Sequence, residues 1–324
     1  MDEFDLIDRL IAPLATAPGA QALANDGATL TPGPGCELVI TKDMMAEGVH
    51  FLPDDPPDLI ARKLLRVNLS DLAAMGARPL GYLLGLASDG NRDDAWFQGF
   101  VDGLQQDQEQ FGISLLGGDT IASPNGTLTL SLTAFGEVAT GQSLSRAGAR
   151  PSDLVAVSGA IGDAALGLKA IRRELGDLDD DHLAFLSDRY RLPQPRTELG
   201  QALVGTAHAA MDVSDGLIAD ATHLASRSQV AMDFDWARIP LSAACQAALD
   251  CDPVLQSVIL GGGDDYELLF TFAPESLEQI EEVARECDQV VTVIGACRPG
   301  EGAHVFGPNG QELTLYEAGW RHRS

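Results

Sequence analysis

Six aspartates stand at the ends of apolar segments, several beside a glycine, and together they could carry out chemistry. They are Asp26 in LANDGATL, Asp43 in VITKDMMAEGVHF, Asp71 in VNLSDLAAMGA, Asp119 in LLGGDT, and Asp212 with Asp215 in MDVSDGL. Converging carboxylates repel each other unless a cation neutralises them. Magnesium prefers such hard oxygen ligands, completed by water and substrate phosphates. Each aspartate alone could be a turn or cap residue, but the set favours a metal and phosphate site.

Motifs that bind nucleotides in other ways are missing from the sequence. The nearest approach to G-x-x-x-x-G-K-[ST], residues 162–167, is followed by LKA and lacks the hydroxyl that would bind magnesium. Residues 32–35 do not continue as a G-x-G-x-x-G dinucleotide fingerprint. Protein-kinase signatures, a G-x-S-x-G elbow and an H-E-x-x-H pair do not occur either. A kinase with this sequence would therefore hold its nucleotide mainly through metals bound to carboxylates.

The elements that must position these aspartates alternate between strands and helices, which predicts an α/β protein. In the first half we expect a strand at 37–41 ending at Asp43, a helix from Asp58 to Gly76, a strand at 81–87, a helix at 94–111, and strands at 113–116 and 127–137. In the second half we expect a strand at 154–158, helices at 163–173 and 215–227, a strand at 268–272 and a helix at 276–287.

A polar stretch containing glycine and proline, residues 141–153, separates two strand-like runs. Domain boundaries commonly fall in such segments. We therefore place a boundary near residues 142–151, which predicts an N-terminal domain over 1–145 and a C-terminal domain over 146–324.

The formal charge of −27 argues against nucleic acid or an anionic membrane as a partner, because both would be repelled. An anionic substrate would have to be received through bound cations and a few arginines. The acidic run GDLDDD at 176–181 lacks the central glycine of a calcium loop, so we expect a solvated surface segment there.

The first ten residues are acidic and contain no readable signal peptide. The longest apolar stretch, residues 80–87, is far shorter than the roughly 20 residues that span a bilayer. The five cysteines form no C-x-x-C pair, and their odd number favours free thiols in a reducing compartment. A cytoplasmic location is expected.

Four blocks of the sequence make a resemblance specific. VNLSDLAAMGA, GGDT, DVSDGL and GGGDDYEL occur in this order, and with them the chain resembles the thiamine-monophosphate kinase family along nearly its whole length. That family is related to aminoimidazole ribonucleotide synthetase and selenophosphate synthetase. The first block is fairly specific, whereas GGDT and SDG are each weak signals.

The resemblance implies a two-domain aminoimidazole ribonucleotide synthetase-like fold. Its N-terminal α/β domain would dimerise through its sheet with a second copy, its C-terminal α/β domain would complete the active site, and that site would lie between the domains. The implied reaction converts ATP and thiamine phosphate to ADP and thiamine diphosphate with several Mg²⁺ ions.

The resemblance also assigns site residues by position. Magnesium positions are matched by Asp26, Thr41, Lys42, Asp43, Asp71, Asp119, Asp212 and Asp215. ATP-contacting positions are matched by Gly118, Asp119, Arg146 and Ser214. Positions that contact thiamine phosphate are matched by His50, Asp264 and Trp320. Alternatively, His50 could be a structural histidine, Trp320 a packing residue, and Asp264 part of a glycine-rich turn.

The chain departs from the family pattern at several of these positions. Asn25-Asp26 replaces a pair of aspartates, and alanines stand at positions 22 and 24 in place of glycine. Lys42 replaces a threonine, and Asp264 replaces a glutamate. One metal would therefore bind more weakly if Asn25 lies at its site.

Related enzymes on the same scaffold are the alternatives. Selenophosphate synthetase would be expected to carry a reactive cysteine near the N-terminus, whereas the first cysteine here is Cys36. The hydrogenase-maturation relative ends in a cysteine-bearing tail, whereas this chain ends in RHRS. A non-catalytic nucleotide- or metal-binding relative stays open because of Asn25, Lys42 and Asp264.

Overall fold

The computed structural model describes residues 6–88, 90, 92–123 and 126–313. The chain divides into two compact units, one comprising Met1–Leu72 and Ala77–Gly141, the other Ala73–Gly76 and Gln142–Ser324. It passes into the second unit after Gly141, four residues before the domain boundary that is predicted from the sequence after residue 145.

The first unit contains a mixed four-stranded sheet and two long helices. Its elements are β1 (Cys36–Ala46), α1 (Pro57–Ala74), β2 (Arg78–Ser88), α2 (Asp94–Phe111), β3 (Ser114–Ala122) and β4 (Thr129–Ala139). The strand order is β1-β4-β2-β3, in which β4 is antiparallel to β1 and β2, and β2 is parallel to β3. Parallel neighbours need a crossover connection, and α2 provides it.

Strand alternation gives this sheet a covered face and an open face. On β1, Val39 and Met45 are buried, whereas Ile40 and Met44 are more than half exposed. Successive side chains of a strand point to opposite faces. The covered face packs on the helices, and α1 contributes four leucines with 0% exposure, Leu64, Leu65, Leu69 and Leu72.

Helix α2 has the expected end signals. The Asp93 side chain accepts the N–H of Trp96 at 2.8 Å, and Gly112 follows the helix in the left-handed conformation. These are common start and stop signals for helices. The helix predicted at 94–111 is confirmed.

Short helical turns precede the sheet at Ile7–Ile11, Ala12–Leu14 and Pro18–Leu23. The last of these contains three consecutive residues with positive φ, namely Gln21 at 48°, Ala22 at 51° and Leu23 at 61°. Residues with a side chain are strained in this region, and glycine is not. The segment that leads to Asn25 and Asp26 is therefore strained at Ala22, one of the two positions where the resemblance expects glycine, whereas Ala24, the other, has an ordinary φ of −79°.

The second unit contains a six-stranded sheet of order β10-β7-β9-β5-β8-β6. Its strands are β5 (Leu154–Ser158), β6 (Ala209–Asp212), β7 (Ala231–Asp235), β8 (Leu268–Phe272), β9 (Val291–Arg298) and β10 (Gly302–Phe306). Its helices are α3 (Asp163–Ile171), α4 (Asp180–Arg191), α5 (Thr197–Ala202), α6 (Leu217–Ser228), α7 (Ala243–Cys251), α8 (Leu255–Gly261) and α9 (Leu277–Glu286). Short helical turns also occur at Trp236–Arg238 and Pro274–Ser276.

Apolar clusters lie on both faces of this second sheet. Val155 and Val157 of β5 belong to one cluster, and Ala156 between them belongs to the other. Such continuous burial produces the unbroken apolar run LVAVS, so the strand predicted at 154–158 is confirmed.

Two predicted strand ends are wrong. β1 continues through Asp43 to Ala46, and β3 continues past residue 116 through Asp119 to Ala122. Aspartate and glycine are poor strand formers, but pairing with the neighbouring strands overrides this preference.

The sequence also missed α4, because its start lies in the acidic run. Asp179 caps this helix by accepting the N–H of His182 at 2.8 Å, and Asp180 and Asp181 occupy its first turn. Carboxylates there are stabilised by the helix dipole.

None of the helices within the described ranges has the length and apolar character needed to cross a membrane.

Candidate active site

Thr41, Asp43 and Asp71 lie together on the covered face of the first sheet. Thr41 and Asp43 are two residues apart on β1 and face helix α1, where Thr41 Oγ1 donates a hydrogen bond to Asp71 Oδ2. Burial and the neighbouring Asp71 raise the pKa of Asp43 to about 7. Two carboxylates held in this way can share a proton or bind a cation.

Lys42 points away from this pair, because adjacent residues of a strand face opposite sides of the sheet. On the open face its Nζ donates to Ser131 Oγ of β4. The predicted magnesium positions 41, 42 and 43 therefore do not bring three side chains to one place.

A cavity of about 780 Å³ opens on the open face of the first unit. Its polar lining includes five residues of the sequence analysis, Asn25, Asp26, Lys42, Gly118 and Asp119. Apolar side chains from the N-terminal turns and from the strands form much of the remaining wall. The predicted ligand residues of this unit thus form two groups, one on each face of the sheet.

Gly118 is required by packing within the sheet. A bulge in the β2–β3 pairing lies between the pairs Tyr82–Leu115 and Leu83–Gly117. A Cβ atom on Gly118 would lie 2.0 Å from the carbonyl oxygen of Leu84, so no side chain fits there. This close approach explains the glycine before Asp119 without any ligand.

His50 follows β1 in a tight turn. Its Nδ1 accepts the N–H of Ala46 at 3.1 Å, and its carbonyl oxygen accepts a hydrogen bond from the buried Lys63 at 3.1 Å. In the neutral ring, the proton is consequently on Nε2. The turn fixes both the position and the tautomer of this imidazole.

In the second unit, Asp212 ends β6 and is buried, and Ser214 and Asp215 follow in the loop to α6. The side chain of Asp220 holds this loop, because its Oδ2 accepts the N–H groups of Ser214 at 3.0 Å and Asp215 at 2.9 Å. Burial raises the pKa of Asp220 to about 7, although both N–H groups act in the opposite direction.

Asp264 lies against the same loop. Its N–H donates to the carbonyl oxygen of Ser214 at 2.9 Å, and a Cβ on Gly263 would lie 2.2 Å from that oxygen. Asp264 has a φ of 72° and Tyr266 a φ of 51°. Close backbone contact thus brings Ser214, Asp215 and Asp264 together.

Arg146 is an exposed residue of the same region. Ser145 accepts the N–H of Ala210 of β6 at 2.9 Å, which ties this segment to the sheet. The Arg146 guanidinium lies close enough to Asp220 to stabilise its carboxylate electrostatically. Arg146 therefore joins the group formed by the Ser214–Asp215 loop.

Two nearby carboxylates have structural partners. Asp265 is buried and accepts the N–H groups of Gly162 at 2.7 Å and Ala164 at 3.2 Å, at the start of α3. Burial holds its pKa well above the usual value for aspartate. Glu267, with 0% exposure, pairs with Arg189 and Arg196. These contacts anchor the segment after the three glycines, which reaches the Ser214–Asp215 loop through the backbone N–H of Asp264.

Two family models match the chain. The N-terminal domain of AIR synthase related protein matches residues 24–138, and the C-terminal domain of AIR synthase related protein matches residues 150–307. The thiamine-monophosphate kinase of Caulobacter vibrioides is 43% identical over 324 residues, covering 99% of this chain and 90% of the relative. The chain belongs to the thiamine-monophosphate kinase family.

Solved structures of this family share the fold. The thiamine-monophosphate kinase of Stenotrophomonas maltophilia K279a aligns with a TM-score of 0.85 at 39% identity, covering 97% of this chain and 98% of that one. AaThiL complexed with AMPPCP and TMP aligns with a TM-score of 0.78 at 30% identity, covering 99% and 96%. The predicted family, the two-domain α/β fold and the kinase class are confirmed, whereas the roles of individual residues stay predictions.

The side chains present in the first unit fit a magnesium ion. Within the ranges that the structure describes, no group of three or more His, Cys, Asp or Glu side chains is arranged to hold a metal ion. Magnesium commonly takes only one or two carboxylates, with water and phosphate oxygens completing its shell. The Asp43–Asp71 pair, with the Thr41 hydroxyl beside it, fits this requirement in a thiamine-monophosphate kinase.

Sequence reasoning missed Asp220, because an aspartate inside a helix looks like an ordinary surface residue. Its position five residues after Asp215 could have indicated a side chain reaching back to the loop before the helix. Trp320, predicted to contact thiamine phosphate, lies outside the described residues.

Proposed function

We propose that this chain transfers the terminal phosphoryl group of ATP directly to thiamine phosphate, with magnesium ions bound by its carboxylates. The observation that carries this proposal is the Asp43–Asp71 pair, in which burial and mutual repulsion raise the pKa of Asp43 to about 7. A divalent cation would relieve that repulsion. Family membership supports the substrates, because AaThiL forms a complex with AMPPCP, an analogue of ATP, and with TMP.

The reaction needs little acid–base chemistry from the protein. The acceptor is already an ionised phosphate at neutral pH, so no general base has to remove a proton, and no residue is needed for a phosphoenzyme. Bound magnesium would neutralise the crowded phosphates. The task of the side chains is to orient donor and acceptor for in-line attack. Asp26, Asp43, Asp71, Asp119, Asp212 and Asp215 would hold the ions, with oxygen atoms of Thr41 and Lys42.

Contacts to ATP are assigned to Gly118, Asp119, Arg146 and Ser214. Arg146 is exposed, and a guanidinium can donate paired hydrogen bonds to phosphate oxygens. Ser214 lies in a loop whose backbone is fixed by Asp220. A fixed loop supports this role, since a preorganised contact loses less entropy when the nucleotide binds.

Contacts to thiamine phosphate are assigned to His50, Asp264 and Trp320. The thiazolium ring of thiamine carries a permanent positive charge. The carboxylate of Asp264 and the ring face of Trp320 would both attract such a cation. The fixed imidazole of His50 offers a hydrogen-bond donor at Nε2.

A homodimer formed through the first sheet is also part of the proposal. Ile40 at 59%, Met44 at 54% and Ile121 at 55% expose large apolar side chains on this sheet, and exposed apolar patches commonly mark interfaces. Ile40→Glu combined with Met44→Glu should yield a monomer by sedimentation velocity. Val254→Glu, at a 74% exposed site in the second unit, is the control. An unchanged sedimentation coefficient in the double variant would reject this interface.

The five cysteines are free thiols, which supports the proposed cytoplasmic location because such compartments keep thiols reduced.

The assay that tests the function combines purified protein, ATP, thiamine phosphate and magnesium, and it follows ADP and thiamine diphosphate by chromatography. Equal amounts of the two products are expected, with loss of both after chelation and recovery on adding magnesium. ATP binding without any thiamine diphosphate would support the non-catalytic alternative. ADP formation that ignores thiamine phosphate would indicate a different acceptor.

A further inference from the structure

Asn68 is a buried amide in α1 whose two ends make different hydrogen bonds. Its Oδ1 accepts the N–H of Asp43 at 3.1 Å, and its Nδ2 donates to the carbonyl oxygen of Leu64 at 2.9 Å. Its exposure is 0%. The side chain thus joins one turn of helix α1 to the backbone of β1 at the residue that carries one carboxylate of the Asp43–Asp71 pair.

The location of β1 explains why such a link is needed. Within the part of the chain that the structure describes, β1 is an edge strand that pairs only with β4, so alternate N–H groups along it point away from the sheet. Edge groups of this kind need another acceptor when they are covered. The Asn68 amide provides one for Asp43.

The spacing of the contacts matches the two elements. On β1, residues two apart share a face, and on α1, residues three apart share a face. Thr41 therefore meets Asp71, and Asp43 meets Asn68, as two links between the same pair of elements. With one link the strand could still shift along the helix, whereas two links fix the separation of the Asp43 and Asp71 carboxylates.

We propose that Asn68 is a positioning residue that holds Asp43 beside Asp71 for magnesium binding. This inference rests on the proposed function, because it assigns the pair to a metal. Groups that orient metal ligands typically change metal affinity by 10- to 100-fold when they are replaced. Asn68 itself needs no contact with the ion.

The test compares Asn68→Ala and Asn68→Leu with Gln108→Ala. Asn68→Leu keeps most of the volume and removes both hydrogen bonds. Gln108 is a matched control, since it is also a buried amide of the first unit with hydrogen bonds to Tyr82, Leu115 and Leu14. Its variant reports what any lost buried amide does to stability.

The primary measurement is the rise in Tm of each protein with magnesium concentration, without nucleotide or thiamine phosphate. Both Asn68 variants should need about tenfold more magnesium for the half-maximal rise. Gln108→Ala should lower the Tm and leave that concentration unchanged. In the kinase assay, the magnesium concentration for half-maximal rate should shift in the same way.

Three results would overturn the inference. The first is an unchanged magnesium requirement in both Asn68 variants, and the second is an equal shift in Gln108→Ala. The third is a wild-type Tm that does not respond to magnesium. A wild-type protein that responds to magnesium but makes no thiamine diphosphate would instead refute the proposed function, and the Tm series would still test Asn68.

Discussion

In the first unit the carboxyl group of Asp43 hydrogen-bonds to a second carboxyl group, that of Asp71, whereas in the second unit Asp265 and Glu267 accept hydrogen bonds from N–H donors, although Asp163 and Glu267 also act to raise the pKa of Asp265. Asp265 accepts two backbone N–H groups, and Glu267 accepts from Arg189 at 3.0 Å and from Arg196 at 2.6 Å. Burial raises the pKa of both Asp43 and Asp265. Burial of an aspartate therefore does not distinguish a ligand site from a structural contact.

The partner of each carboxylate makes that distinction. A like-charged neighbour raises the free energy of the ionised form, and a cation lowers it again. Backbone N–H groups lower the free energy of the ionised form of Asp265, and two arginines lower that of Glu267. We therefore expect replacements in the second-unit pair to act on stability, and replacements at Asp43 or Asp71 to act on magnesium and turnover.

The largest effect is expected for Glu267→Ala. Removing this carboxylate deprives two partly buried guanidinium groups, those of Arg189 and Arg196, of their partner, which costs about 3 kcal/mol of unfolding free energy. Chemical denaturation measures the loss. Glu174→Ala is the control, because its pair with Lys169 at 3.3 Å is exposed and contributes at most about 1 kcal/mol. A loss at Glu267 no larger than that of the control would contradict the structural role.

Asp71→Asn should have the opposite effect, because it should lower turnover without lowering the free energy of unfolding. An amide is a weaker magnesium ligand than a carboxylate, so we expect turnover to fall at least 100-fold, which is about 2.7 kcal/mol. Stability should hold or rise, because the repulsion with Asp43 is removed. Initial rates and thermal unfolding of the same preparation measure both. A variant that keeps more than about a tenth of the wild-type rate would exclude Asp71 as a catalytic metal ligand.

Sequence patterns predicted the elements with clear end signals and missed those decided by tertiary contacts. Helix α2 has an aspartate cap, an apolar stripe and a terminal glycine, and its predicted bounds match the structure. β1 was predicted too short, because Asp43 looks like a strand end until its contact with α1 is known.

For the site, the sequence pattern identified the candidate aspartates and the resemblance assigned their proposed roles. Neither predicted which of these side chains lie together in the fold. Strand alternation alone could have separated Lys42 from Thr41 and Asp43. Asn68 contacts Asp43, which lies 25 residues earlier in the sequence. Asp220 contacts Asp215 and Ser214, which lie 5 and 6 residues earlier. A pattern within one element does not reveal such contacts.

The pH dependence of stability separates the two kinds of carboxylate further. The pKa of Asp43 is about 7 in the folded protein, above its ordinary value of 3.8, so the folded state binds the extra proton. The stability from this proton is present in full below about pH 4 and is lost as the pH rises through 7. Without magnesium, the free energy of unfolding of the wild type relative to Asp43→Asn should fall between pH 5.5 and 8, by at most about 1.4 kcal/mol per pH unit, and the Tm difference between the two proteins should fall with it.

Saturating magnesium should flatten that difference, because the cation replaces the proton between the carboxylates. Contributions from titrating groups outside the Asp43–Asp71 pair, such as Asp220, are common to both proteins and cancel. Parallel Tm profiles for the wild type and Asp43→Asn in magnesium-free buffer would contradict the raised pKa of Asp43.

The smallest effect is expected for Asn25→Asp, which tests whether the open-face group also binds a metal. Asn25 and Asp26 line the cavity, and Asn25 Nδ2 donates to Gln21 Oε1. A carboxylate at position 25 cannot donate that hydrogen bond, so the side chain is released from Gln21 and adds a negative charge at the cavity wall. We expect the magnesium concentration for half-maximal rate to fall about three- to fivefold, which is below 1 kcal/mol.

Asn25→Ala loses the same hydrogen bond without adding charge and is the matched control. If both variants change the magnesium requirement equally, the effect comes from the released loop. If Asn25→Asp leaves it unchanged or raises it, position 25 is outside the reach of the metal, and the ion-binding carboxylates of the first unit are those on the covered face.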